Sequence, residues 1–297
     1  MNNITRKTVL IGASVQHSVS DILYSELFKE CKIKNYDYLH EKLDLSEENF
    51  KLFFAKKRYK EYIGISVTIP YKINVMQYLD DIDYTVRILG AINTIKVNEK
   101  GKLLGNNTDW YGLFRIMSEY SRKEYRNAFI FGSGGAARAA IFACDKMGFS
   151  TSVLYRKYPN ISKNSEDLLK LSEKMNFEML SYEEGIKKIK NADIIINTTP
   201  VGTQNHDSYP FNISLIENCD FSGKLFIDAV YFPVRTPLMN FFSSKKAFVI
   251  DGLWMMIYQG IKAFSTWHND LMRCENIDLK KIHQKLEEKI DEIYTNN

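Results

Sequence analysis

Two ionisable residues, Lys72 and Asp109, stand ahead of a glycine-rich loop in the middle of the chain. The lysine closes the run Ser66-Val67-Thr68-Ile69-Pro70-Tyr71-Lys72, and the aspartate closes Gly105-Asn106-Asn107-Thr108-Asp109. Reducing a carbonyl with hydride also requires a proton at the carbonyl oxygen. A positioned lysine commonly moves such a proton, for roughly 10² to 10⁴-fold in rate. An aspartate beside it would hold the ammonium and accept from a substrate hydroxyl. Pro70 restricts the backbone before it, so the chain is expected to leave the preceding strand sharply. That aims Lys72 across the strand's C-terminal edge, where open α/β sheets place ligands.

The hydride would come from a nucleotide held by Gly132-Ser133-Gly134-Gly135-Ala136-Ala137. The apolar run Ala128-Phe129-Ile130-Phe131 leads into this loop, and a helical pattern from Ala136 to Met147 leaves it. Strand, loop and helix are the setting a dinucleotide fingerprint requires. Gly132 permits the tight turn, Gly134 lets backbone approach a pyrophosphate, and Ala137 is small enough for close helix packing. The helix N-terminus offers unpaired N–H groups and partial positive charge to phosphates. At the end of the following strand an NAD site usually carries an acid; this chain has Tyr155-Arg156-Lys157. Two cations suit a 2′-phosphate, so NADP is favoured over NAD.

The elements that must position these groups alternate along the chain. Val9 to Gly12 reads as a strand, Asp21 to Cys31 as a helix, Tyr36 to Leu39 as a strand, and Ser46 as the N-cap of the next helix. Tyr62 to Thr68 is β-rich and closed by Pro70. Lys72 to Tyr78 and Tyr84 to Leu89 look helical. Ala91–Val97 and Lys102–Leu104 pair as a hairpin across Glu99-Lys100-Gly101. Beyond the glycine loop, the runs at 151–155, 193–197 and 224–228 read as buried parallel strands covered by helices. A nucleotide-binding loop usually opens a domain, so a substrate domain precedes a cofactor domain.

Composition is consistent with a globular enzyme. The 297 residues suffice for two domains, and 45% are hydrophobic. A net charge of +4 with dispersed lysines reads as a solvated surface rather than a nucleic-acid face. Cys31, Cys144, Cys219 and Cys274 are widely spaced and read as reduced, mostly buried thiols of a cytoplasmic protein. No metal-ligand spacing and no bilayer-spanning stretch is present.

Several blocks resemble shikimate dehydrogenases in sequence and order. They are the two runs ending in Lys72 and Asp109, Gly90-Ala91-Ile92-Asn93-Thr94 between them, and the glycine loop with Arg138. Asn197-Thr198-Thr199-Pro200-Val201-Gly202, Asp228-Ala229-Val230-Tyr231-x-Pro233 and Gly252-Leu253-x-Met255-x-x-x-Gln259 continue the series. The resemblance spans nearly the whole chain. It implies reversible NADPH-dependent reduction of 3-dehydroshikimate to shikimate, in chorismate and aromatic amino-acid biosynthesis, by a monomer or homodimer. It implies Lys72 as acid/base with Asp109 as partner, and Thr68, Asn93, Asp109 and Gln259 on the ring hydroxyls. Ser18 and Ser20 match a Ser-x-Ser that holds the substrate carboxylate, and Tyr231 would close that end. Gly132, Ser133, Gly134, Gly135, Ala136, Arg156, Lys157 and Thr198 would bind the cofactor, with Ala229 and Gly252 beside the nicotinamide. The implied fold is an N-terminal α/β substrate domain (1–110) completed by C-terminal helices (255–297), with a Rossmann domain at 111–254.

Some positions depart from the family's pattern. Asp21 stands where a proline usually follows Ser-x-Ser, and reads as a helix N-cap facing solvent. Tyr24-Ser25 replaces His-Asn, Ser66 replaces an asparagine, and Tyr155-Arg156-Lys157 replaces Asn-Arg-Thr. The alternatives are a paralogue acting on quinate or a related cyclohexane-carboxylate, and a regulatory nucleotide-binding protein without catalysis.

Overall fold

A computed structural model describes residues 4–33, 36–157, 162–203, 209–268 and 277–295. The chain divides into two compact units, Met1–Thr108 with Gln259–Lys289, and Asp109–Tyr258 with Ile290–Asn297.

The first unit holds β1 (Ile4–Gly12), α1 (Ser20–Glu30), β2 (Tyr36–Asp44), α2 (Glu47–Ala55) and β3 (Gly64–Val67). It continues with β4 (Asp81–Ile82), α3 (Tyr84–Leu89), β5 (Thr94–Val97) and β6 (Leu103–Asn106). The strands form one sheet in the order β2-β1-β3-β5-β6-β4. β1 pairs in parallel with β2 and β3, whereas β5 and β6 form the expected antiparallel hairpin beside β3. Phe50, Phe53 and Phe54 from α2 pack with Tyr62, Ile65, Val67 and Tyr71 in one core cluster. The other face receives the returning segment. Trp267 donates its indole N–H to the Ile95 carbonyl at 3.0 Å. A Cβ on Gly64 would lie 2.4 Å from the Trp267 ring, so this strand accepts the indole only because position 64 has no side chain. Gly260 likewise lets Leu23 of α1 approach closely.

The second unit begins with α4 (Asp109–Tyr120), β7 (Asn127–Phe131), α5 (Gly135–Met147), β8 (Ser150–Tyr155) and α6 (Lys163–Ser172). It continues with β9 (Phe177–Ser181), α7 (Tyr182–Lys188), β10 (Ile194–Asn197), β11 (Leu225–Asp228), α8 (Pro237–Ser244) and β12 (Phe248–Ile250). All its strands pair in parallel, in the order β12-β11-β10-β7-β8-β9. The continuous apolar runs of β7, β10 and β11 are buried, as a sheet covered on both faces requires. α9 (Gly252–His268) and α10 (Leu279–Thr295) complete the chain.

Three local readings are corrected, and two elements go beyond them. Lys72 and Ile73 lie in turns, and the helix is a short 3₁₀ segment, Asn74–Tyr78. Asp21 does not cap α1: the N-cap is Val19, without a side-chain bond, and Asp21 sits in the first turn. β9 and α7 escape periodicity because they are short, although Ser181 and Glu184 form a capping box. Cys31 is disulfide-bonded rather than a thiol, and Cys274 lies outside the described residues. Cys144 and Cys219 are free and buried.

Candidate active site

In the first unit the Lys72 turn is held from several sides. The Tyr71 amide donates to the Thr68 carbonyl at 3.0 Å, and the Lys72 carbonyl accepts from the Ile92 amide at 2.8 Å. Tyr71 stacks on Phe50 at 4.1 Å and donates its hydroxyl to the Leu45 carbonyl at 2.6 Å. Thr68 is half-buried; its methyl lies 2.5 Å from where a Cβ on Gly12 would stand, so Gly12 makes room for it. The anchored neighbours restrict the Lys72 backbone while its own side chain stays half-exposed.

Beside this turn Asn93, Thr108 and Gln259 meet. The Asn93 amide donates to Thr108 Oγ1 at 2.9 Å and to Gln259 Oε1 at 3.2 Å. Asn93 Oδ1 accepts from the Thr108 amide at 2.7 Å and from Thr94 Oγ1 at 3.0 Å. Asn107 ties the same loop down by donating to the Ala91 carbonyl at 2.9 Å. Sequence reasoning selected Asn93 and Gln259 but missed Thr108, which joins them. Asp109 follows directly as the first residue of α4, and is buried.

Ser18 and Ser20 are buried at the start of α1. The Ser20 amide donates to Ser18 Oγ at 3.2 Å. Lys42 of β2 braces this loop, donating to the Ser18 carbonyl at 2.8 Å and facing Asp21 Oδ1 at 3.2 Å. The acid introduced at position 21 is thereby balanced by a cation. Ser66 contacts the Tyr24 hydroxyl at 3.4 Å. Sequence reasoning missed His40, the one buried residue of β2, whose Nε2 lies 3.1 Å from Ser20 Oγ and Nδ1 2.8 Å from Thr8 Oγ1. Strand alternation puts Tyr38, His40 and Lys42 on one face, which was the available signal.

Burial, helped by the nearby Lys42 cation, lowers His40 to about 3. Below the ordinary histidine value of 6.5 the unfolded chain takes up a proton that the folded one refuses, so stability falls as pH drops. Between pH 6.5 and 5 His40 should remove about 2 kcal/mol of unfolding free energy. His268, lowered to about 4 by burial and then by Arg6 and Lys96, acts in the same direction. Urea unfolding of wild type and His40→Gln at both pH values checks this: the variant should lose His40's share of the slope. Equal slopes would contradict it.

In the second unit β7 ends at Phe131 and is followed by Gly132, whose φ of +111° suits glycine. A Cβ there would meet Thr198 Oγ1 at 2.8 Å. Thr198 donates that hydroxyl to the Phe131 carbonyl at 2.6 Å, fixing the loop's base. Gly134 is the N-cap of α5 and offers no side chain, so the first-turn amides lack a side-chain cap. Among the described residues, its chain neighbours and its own helix's backbone aside, nothing lies within 4 Å of a Cβ built on Gly134, which leaves space for a phosphate to approach. Ser133 Oγ accepts from Ser165 at 2.9 Å. Gly135 and Ala136 are half-buried, and Ala137 packs fully inside. At the end of β8 the exposed Arg156 and Lys157 line a cavity of about 310 Å³ together with Tyr182 and Phe211. A glycine-led helix N-terminus and a cation-lined cavity in one unit fit a dinucleotide bearing an extra phosphate.

Asp228 closes β11, fully buried, and burial pushes its carboxyl up to about 6. It accepts from Val230 N at 3.0 Å, Thr236 Oγ1 at 2.7 Å and Asn197 Nδ2 at 2.9 Å. Those bonds shape the turn that carries Ala229 and Tyr231, both half-buried. Gly252 lies against this turn: a Cβ would stand 2.3 Å from the Val230 carbonyl.

A family model described as the shikimate dehydrogenase substrate binding domain matches residues 10–95. The NADP(+) shikimate dehydrogenase of Methanococcus maripaludis (strain S2) is 36% identical over 270 residues, 90% of this chain and 93% of the relative. That of Methanocaldococcus jannaschii is 35% identical over 277 residues, again 90% and 93%. A crystal structure of a shikimate dehydrogenase in complex with NADP+ matches with a TM-score of 0.78 at 30% identity, covering 96% of each chain.

Proposed function

Because the chain belongs to the shikimate dehydrogenase family, we propose that it reversibly reduces 3-dehydroshikimate to shikimate with NADPH. One observation carries the substrate side: Asn93, Thr108 and Gln259, distant in sequence, form one hydrogen-bonded cluster beside the Lys72 turn. Such a cluster presents amide and hydroxyl groups suited to ring hydroxyls. Bound NADPH supplies the hydride to the carbonyl carbon. Lys72 gives its ammonium proton to the carbonyl oxygen as the C–H bond forms, and takes it back in the reverse direction. Asp109 balances that ammonium and accepts from a ring hydroxyl. Thr68, Asn93 and Gln259 orient the ring, Ser18 and Ser20 hold its carboxylate, and Tyr231 closes that end. The glycine loop with Thr198 takes the pyrophosphate, Arg156 and Lys157 the 2′-phosphate, and Ala229 and Gly252 flank the nicotinamide. Among the described residues no helix is long and apolar enough to cross a membrane; we place the reaction in the cytoplasm, as a step of aromatic amino-acid biosynthesis.

Steady-state kinetics with shikimate and quinate, each against NADP and NAD, test the reading. Turnover should be fastest with shikimate and NADP; no turnover of shikimate sinks it, and faster turnover of quinate moves the protein to the related activity. Arg156→Ala should raise KM for NADP about 10 to 100-fold while leaving KM for NAD nearly unchanged, as expected for a lost bond to a charged phosphate. Equal losses with both cofactors would remove Arg156 from that role.

A further inference from the structure

We propose that His40 is a positioning residue that aims the Ser20 hydroxyl hydrogen at the substrate carboxylate; this rests on the reading of Ser18 and Ser20 as the carboxylate pair. The four groups form a chain. Tyr38 and Thr8 hydroxyls lie 2.6 Å apart, Thr8 Oγ1 lies 2.8 Å from His40 Nδ1, and His40 Nε2 lies 3.1 Å from Ser20 Oγ.

The direction of the chain follows from counting hydrogens. Among the described residues the Tyr38 hydroxyl has Thr8 Oγ1 as its one hydrogen-bond partner, so Tyr38 donates to Thr8. Thr8 has a single hydroxyl hydrogen and is fully buried, and it donates to His40 Nδ1. Burial keeps the imidazole neutral, so a ring whose Nδ1 accepts carries its hydrogen on Nε2. Nε2–H then donates to Ser20 Oγ. The Ser20 hydrogen is left without an acceptor among the described residues, ready for an anion. Ser18 Oγ is filled in the same way by the Ser20 amide, which leaves its hydrogen available too.

Reversing the chain fails twice. It would strand the Tyr38 hydrogen, and it would turn the lone pairs of Ser20 toward a carboxylate. The tilted Tyr24 ring, 4.6 Å from His40, and the Lys42 bond to the Ser18 carbonyl hold the two ends of this arrangement in place. The result is a pair of serine donors set before the ligand arrives, with no reorientation required on binding.

The test uses the full-length protein and compares wild type, His40→Leu, His40→Gln, Ser20→Ala and the His40→Leu/Ser20→Ala double variant. His40→Leu should raise KM for shikimate about tenfold or more, the scale of one hydrogen bond to a charged group, with kcat within about threefold and KM for NADP unchanged. His40→Gln, which keeps an N–H near Nε2, should recover most of the loss. In the Ser20→Ala background His40→Leu should add less than about twofold, because the residue acts through Ser20. Shikimate methyl ester, lacking the anion, should be penalised less than shikimate. An unchanged KM in His40→Leu, or effects that multiply in the double variant, overturns the proposal. If His40→Leu does not fold, Thr8→Val carries the same test: a rise in KM for shikimate that Ser20→Ala abolishes supports the relay, and no rise overturns it. Wild-type protein inert toward shikimate overturns the functional reading instead, and it is read from a separate arm.

Discussion

Lys72→Ala is expected to lower kcat for shikimate oxidation by about 10³-fold, the middle of the range for losing a positioned proton carrier. The size follows from what the residue alone contributes. The turn around it is secured by groups other than its side chain, namely Tyr71 on Phe50, the Leu45 carbonyl and the Ile92 amide. Removing the ammonium should therefore leave the fold intact, with an unchanged melting temperature. Asn93, Thr108 and Gln259 also remain bonded to one another. Shikimate affinity, measured by calorimetry, should move only a few-fold, and NADP affinity not at all. A variant that binds both ligands but does not turn over supports the role. A variant retaining more than a tenth of wild-type kcat would remove Lys72 from the proton step. If wild type were as inert as the variant, the regulatory reading without catalysis would gain.

The second large effect separates two glycines two residues apart, Gly132 and Gly134. Gly132→Ala puts a Cβ on a residue with φ +111° and 2.8 Å from Thr198 Oγ1, so it should cost stability, about 1–3 kcal/mol by urea unfolding. Gly134→Thr should behave in the opposite way. Gly134 has φ −82°, a Cβ there meets nothing within 4 Å among the described residues beyond its own helix and chain neighbours, and threonine is about as good an N-cap as glycine. Stability should hold. The threonine, however, fills the approach to the helix N-terminus, and its hydroxyl competes for the amides a phosphate would use. KM for NADP is expected to rise about 100-fold, a scale of lost phosphate contacts. Gly134→Thr with wild-type NADP affinity would sink the assignment of this loop to the pyrophosphate.

The chemistry-bearing groups were legible because their neighbours restrict them. Pro70 announces a turn, glycines 132 and 134 announce a phosphate loop, and apolar runs such as Ile194–Asn197 announce buried parallel strands. What periodicity could not reveal were links between residues far apart in the chain. Thr108 joins Asn93 to Gln259 across 151 residues, and no local pattern marks it. His40 looks like an ordinary strand residue until the buried contact with Ser20 appears. Asp21 was misplaced for a local reason: an acid before a helix resembles a cap, but the helix begins one residue earlier and Lys42 claims the carboxylate. β9 and α7 are each one short segment, too brief for a period, and only the Ser181–Glu184 capping box marked their junction.

The absence of a side chain at Gly64 bears on how the protein is made. The first unit lays out its strands early, yet the indole that covers Gly64 and takes the Ile95 carbonyl arrives with Trp267. At ribosomal rates of about 5–20 residues per second, the intervening chain takes roughly 10–40 s to emerge. During that interval most of the second unit, Asp109–Tyr258, can form while the first still lacks this cover; the second unit's remaining residues, Ile290–Asn297, follow later. The earliest-made sheet therefore waits longest for its cover, which comes only with the returning segment Gln259–Lys289.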